Sequence, residues 1–152
     1  MTNTILCLTR GGPESYPNQN KAIAIARERE AQIIFLHISD VRFLGMTAAP
    51  MVVDIQGEME EMGEFMLAMA QERAAEQGVR AKTMVRSGVF RDVLRKVLKE
   101  YPIRTVVMGS SRPQTGYTTE EFVAGLSALL ARETGVEFLI LDEGKIVATF
   151  NP

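Results

Sequence analysis

Short apolar runs separated by helix-length amphipathic stretches are the feature that most constrains how this chain folds. The runs are "TILCL" (Thr4 to Leu8), "AQIIFLHI" (Ala31 to Ile38), "VRAKTMVR" (Val79 to Arg86), "RTVVM" (Arg104 to Met108) and "VEFLIL" (Val136 to Leu141). Strands separated by helices cross over to their neighbours rather than forming hairpins, which builds right-handed βαβ units and a parallel sheet. Four of the runs are apolar nearly throughout, as strands covered on both faces must be. The third alternates: Val79, Ala81, Thr83 and Val85 fall on one side, and Arg80, Lys82 and Arg86 mostly on the other. Basic residues on one side are how a sheet guards an edge against pairing with another chain.

The intervening stretches read as helices. "NQNKAIAIARERE" offers Asn18 or Asn20 as an N-cap and presents small apolar residues for close packing on a sheet. From Asp40 to Gln56 the pattern is irregular, interrupted by Gly45 and Pro50, and a long excursion is expected there. "GEMEEMGEFMLAMAQERAAEQG" then reads as a long helix ending at Gly78. Met59, Met62, Met66 and Met69 recur at steps of three and four and share one face, expected to be buried against the sheet. An adaptable partner-binding surface is the other use of such a face.

After Gly88 an apolar stripe of Phe90, Val93, Leu94, Val97 and Leu98 marks a third helix, with Asp92 and Lys96 spaced to pair on its exposed side. A fourth helix is expected from Thr119 to Glu133. "DEGK" is a turn signal, and "IVATF" (Ile146 to Phe150) a short sixth strand. The expectation is one α/β domain over residues 1–152, a five-stranded parallel sheet with helices on both faces and a short C-terminal sixth strand.

Cys7, the only cysteine, lies in an apolar run, which excludes an internal disulfide and any multi-cysteine metal site. His37, the only histidine, ends the second apolar run without a second His or Cys near it, so it reads as a structural histidine. A formal charge of −2 and a pI near 5.5 supply no basic field for nucleic acid. No apolar run approaches the roughly 18 residues a membrane span needs, and no leader pattern is seen. The expected location is the cytoplasm.

Element order, the segment "VRSGVFRDVLRKVLKEY" and the run "RTVVMGSS" together resemble the universal stress protein family, whose members carry an apolar strand ending in Met-Gly-Ser. The resemblance implies the strand order 3-2-1-4-5, with the basic third strand and the apolar fifth at the two edges. It also implies a homodimer through the fifth strand, Val136 to Leu141, extended by Ile146 to Phe150. Alternatively "IVATF" folds back as a hairpin and covers that edge within the chain.

Nucleotide-binding members of that family resemble one another in a motif of glycine, two residues, glycine, nine residues, then glycine and serine or threonine. Glycines let backbone N–H groups approach phosphate oxygens, and the helix that follows adds its positive end. Here Gly109 is in place, Arg112 occupies the second glycine position and Phe122 the third. "TTEE" at Thr118 to Glu121 has the capping-box form, which would occupy the helix donors and place carboxylates where a phosphate would sit. At the end of the first strand, Arg10 stands where ATP-binding members have an aspartate, reversing both charge and hydrogen-bond polarity. "TRGGPES" also faintly resembles the Ser-Gly-Gly-x-Asp-Ser loop of ATP pyrophosphatases, but lacks its leading serine and its aspartate, and Pro13 removes a donor. A turn at Gly11, Gly12 and Pro13 is the expected reading.

Two functions from different classes follow. The first is a stress-response or regulatory binding domain, homodimeric, with no ATP cofactor bound in the usual way and no catalytic set. The second is an ATP- and magnesium-binding protein with at most weak hydrolysis, its remodelled site built from Thr9, Arg10, Gly109, Ser110, Ser111 and Arg112. In an open α/β sheet the ends of strands 1 and 4 flank the switch point where ligands bind. A third reading is an adaptor that contacts another protein through the methionine face or the Asp40 to Gln56 segment.

Overall fold

The computed structural model describes residues 3–10, 13–39, 49–110 and 120–152, with the backbone alone at 49–59 and 120–121. The strands are β1 (Thr4–Leu8), β2 (Gln32–Ser39), β3 (Ala81–Ser87), β4 (Ile103–Gly109), β5 (Glu137–Asp142) and β6 (Lys145–Phe150). The helices are α1 (Tyr16–Glu28), α2 (Ala49–Glu76), α3 (Phe90–Glu100) and α4 (Glu120–Thr134). The sheet runs β3-β2-β1-β4-β5-β6, parallel except for the antiparallel β5–β6 pair. The order 3-2-1-4-5 implied by the family resemblance is therefore present, with β3 and its exposed Lys82 and Arg86 at one edge.

Successive residues of a buried parallel strand serve opposite faces, and the core divides accordingly. Ile5 and Cys7 join Ala22, Ala26, Leu67, Ala70 and Ala74 on the α1/α2 side. Leu6 joins Leu94, Val97, Val123, Leu126 and Leu130 on the α3/α4 side. Phe35 and Phe138, both fully buried, serve one face each.

Four sequence expectations change. The helix expected from Gly57 begins at Ala49, absorbing the end of the excursion. Pro50 does not break it, because a residue in the first helical turn has no intrahelical acceptor for an N–H. Residues 40–48 of the excursion lie outside the described residues. On α2 the stripe against the sheet is Gly63, Leu67, Ala70 and Ala74, while Met62 is 61% exposed and Met69 40%. Small residues let the helix approach the sheet more closely than methionines would. On α3, Lys96 pairs with Glu100 and Asp92 lies beside Arg91, in place of an Asp92–Lys96 pair.

The fourth change concerns the fifth strand. Val136–Leu141 does not present a bare edge, because β6 of the same chain pairs with it from Phe138↔Phe150 to Asp142↔Lys145. Glu143 and Gly144, both at positive φ (48° and 83°), make the two-residue turn of a type I′ hairpin, whose twist matches that of the strands.

Candidate functional site

Register places the two predicted loops side by side. Cys7 opposes Val107 in the β1–β4 ladder, so the chain leaves β1 at Thr9 and Arg10 next to the end of β4 at Gly109 and Ser110. The first turn of α1 lies across both ends. Its N-cap is Ser15, which makes no side-chain cap bond, with Pro17 in the first turn. Asn18 and Gln19 are thus free to point at the strand ends, and Asn18 is not the cap the sequence suggested.

Gln19, fully buried, donates from Nε2 to Thr9 Oγ1 at 2.7 Å and accepts from Arg73 of α2. The Arg73 guanidinium also stacks 3.9 Å from the Tyr16 ring centroid, a cation–π contact that fixes its charge against α1. The Thr9 backbone N–H donates to Leu36 O at 3.0 Å, and its carbonyl lies 3.3 Å from His37 Nδ1. In the tautomer protonated on Nδ1, His37 donates there, a structural use of the ring. His37 is in turn closed over by α2: a Cβ on Gly63 would meet His37 Cδ2 at 2.7 Å.

The end of β4 is equally committed. Ser110 N–H donates to Leu141 O at 2.7 Å. Asn18 Oδ1 accepts the N–H of Gly144 at 2.8 Å, and a Cβ on residue 109 would come within 3.1 Å of Asn18 Nδ2. The glycine that could have admitted a phosphate instead admits a side chain of this chain. Phe122, in the third glycine position of the motif, packs edge-to-face on Phe90 with centroids 6.4 Å apart.

Of the six candidate residues, Thr9, Arg10, Gly109 and Ser110 are brought together, and of these Arg10 is exposed. Ser111 and Arg112 lie outside the described residues, as do Gly11, Gly12 and Thr118. Cys7 is buried in β1, and desolvation pushes its thiol up to about 12, far from a reactive thiolate at neutral pH. Among the described residues no group of three His, Cys, Asp or Glu could hold a metal ion, and no helix is long and apolar enough to cross a membrane. A hollow of about 570 Å³ lies between α1 and α2, but none of the candidate residues lines it.

Sequence reasoning missed Asn18 and Gln19 as site residues. The signal was local: Ser15 and Pro17 already formed a helix start, which left the two amides downstream without a capping role.

The family model described as "Universal stress protein family" matches residues 1–130. The chain is 27% identical over 118 residues to universal stress protein YxiE of Bacillus subtilis, covering 72% of this chain and 80% of that protein. Its fold is similar to universal stress protein UspA from Lactobacillus plantarum, with a TM-score of 0.73, 14% identity and coverage of 92% and 97% of the two chains. It is also similar to a universal stress protein solved in complex with cAMP, with a TM-score of 0.64, 20% identity and coverage of 93% and 97%.

Proposed function

We propose that this chain, which belongs to the universal stress protein family, acts in the cytoplasm as a stress-response or regulatory binding domain that does not hold ATP in the family's usual way and does not turn over a substrate. The observation that carries this reading is the Asn18 side chain seated beside Gly109 and tied to Gly144. A backbone phosphate cradle needs open glycine faces and uncommitted N–H donors. Here Asn18 takes the face of Gly109, and the N–H groups of Thr9 and Ser110 are spent on neighbouring strands. Arg10 and Phe122 in place of the motif's aspartate and glycine argue the same way.

The assembly that fits this reading is a homodimer. With β5 covered, the edge available for a second copy is the outer edge of β6, where Ile146 and Val147 are exposed.

Calorimetric titration of magnesium ATP into nucleotide-free protein tests the main reading. No saturable heat at millimolar ATP is expected, and stoichiometric micromolar binding would overturn it. A second reading, nucleotide binding through a remodelled loop, draws on exposed Arg10 beside Gly109 and on the relative solved with cAMP. Under it, Arg10→Ala would abolish a binding signal that the wild type shows.

A further inference from the structure

We propose that the outer face of α2 is a docking surface for a basic amphipathic helix of another protein. This goes beyond the reading above and does not rest on it, because α2's outer face is opposite the stripe that packs on the sheet.

A helix on a sheet needs one apolar stripe, and α2 carries two. Gly63, Leu67, Ala70 and Ala74 fill the stripe toward β2 and β3. Met62, Phe65 and Met69 follow one another at steps of three and four on the opposite side, and Phe65 is 68% exposed. This second stripe leaves three large apolar side chains exposed in part to water on a single helix. Two of the three are methionines, whose unbranched, polarizable side chains adapt to a partner's surface.

Charge selects the occupant. Glu61, Glu64 and Glu72 are exposed around the stripe. Residues 49–76 contain Asp54, Glu58, Glu60, Glu61, Glu64, Glu72 and Glu76 against the single cation Arg73, whose guanidinium is held by Gln19 and Tyr16. A second copy of the same face would bring acidic rim to acidic rim, and an anionic lipid surface would meet the same sign of charge. A helix with apolar anchors at positions i, i+3 and i+7 between lysines and arginines matches both the stripe and its rim.

The test uses the full chain and two synthetic helical peptides of identical apolar pattern, one with lysine and arginine at its polar positions and one with glutamate. Binding is read by fluorescence anisotropy and by the methyl resonances of Met62 and Met69. The basic peptide is expected to bind, weaken with salt and shift both methyl signals, while the acidic peptide does not bind. Phe65→Ser is expected to weaken it about tenfold or more. The triple variant Glu61→Lys, Glu64→Lys, Glu72→Lys should reverse the preference between the peptides. All these positions are exposed, so the variants are expected to keep the wild-type circular dichroism spectrum. Absence of basic-peptide binding, equal affinity for wild type and Phe65→Ser, loss of self-association on Phe65→Ser, or wild-type binding to phosphatidylserine vesicles would each overturn the proposal. Because magnesium ATP titration reads the strand ends and the peptides read α2, either reading can fail without the other.

Discussion

The side-chain oxygen of Asn18 accepts the backbone N–H of Gly144 at 2.8 Å, joining the first turn of α1 to the hairpin turn 126 residues later in the chain. One amide thereby fixes the C-terminal hairpin against the switch point of the sheet and fills the space beside Gly109.

Removing this tie with Asn18→Ala should cost about 1 kcal/mol, the typical net worth of one such hydrogen bond, and should speed hydrogen exchange at the Gly144 amide. Gly144→Ala should cost about 1–2 kcal/mol for the left-handed backbone alone. Its new Cβ would also meet Pro17 O at 3.2 Å. Urea unfolding measures both, and an unchanged Gly144 exchange rate in Asn18→Ala would show that the turn is held by other means.

The same substitution at two helical glycines should have opposite signs. Gly125 of α4 has open space around it, so Gly125→Ala should stabilise by about 0.5–1 kcal/mol through helix propensity. Gly63→Ala gains the same propensity but drives a Cβ into His37 at 2.7 Å, and overpacking of that kind costs about 1–3 kcal/mol. A net loss of stability is expected for Gly63→Ala, and a gain there would mean that His37 moves aside freely.

Cys7 should make stability depend on pH in the alkaline range. Its thiol is raised from 9.0 to about 12 by burial, so the folded state holds its proton more tightly than the unfolded state. That contribution is fully present below about pH 9 and is lost as pH rises toward about 12. The stability difference between wild type and Cys7→Ala should therefore be flat below pH 9 and fall above it, by up to about 1.4 kcal/mol per pH unit. Thiol reagents should react with Cys7 only at the rate at which the fold opens.

The β6 edge should decide the oligomeric state. Light scattering is expected to report a dimer for the wild type and a monomer for the double variant Ile146→Lys, Val147→Lys, with unchanged circular dichroism, since both side chains are exposed within the chain. A monomeric wild type would remove the dimer from the proposed function.

Much of the architecture was legible in the residues. Apolar runs such as "IIFLHI" and "VEFLIL" specify strands covered on both faces, and Lys82 and Arg86 of β3, with Arg80 just before it, specify an edge, because a charged side chain needs solvent on its side of the strand. The substitutions Arg10, Arg112 and Phe122 against the nucleotide motif were legible for the same reason, since charge and side-chain volume are properties of the residue itself.

Which stripe of α2 faces the sheet was settled only by tertiary structure. Methionines and small residues both recur on α2 at helical spacing, so periodicity allowed either, and the choice fell to the close approach that Gly63, Ala70 and Ala74 permit. The state of the strand ends was settled the same way. Asn18 and Gly144 have no local pattern linking them, and the bond exists because the sheet order carries β5 and β6 past β4 to the first turn of α1. The sequence by itself thus determined the strands of the sheet, its guarded edge and the altered residues, with the strand order following from the family resemblance; the clearance between helix and sheet, and contacts across the full length of the chain, decided which faces remained open.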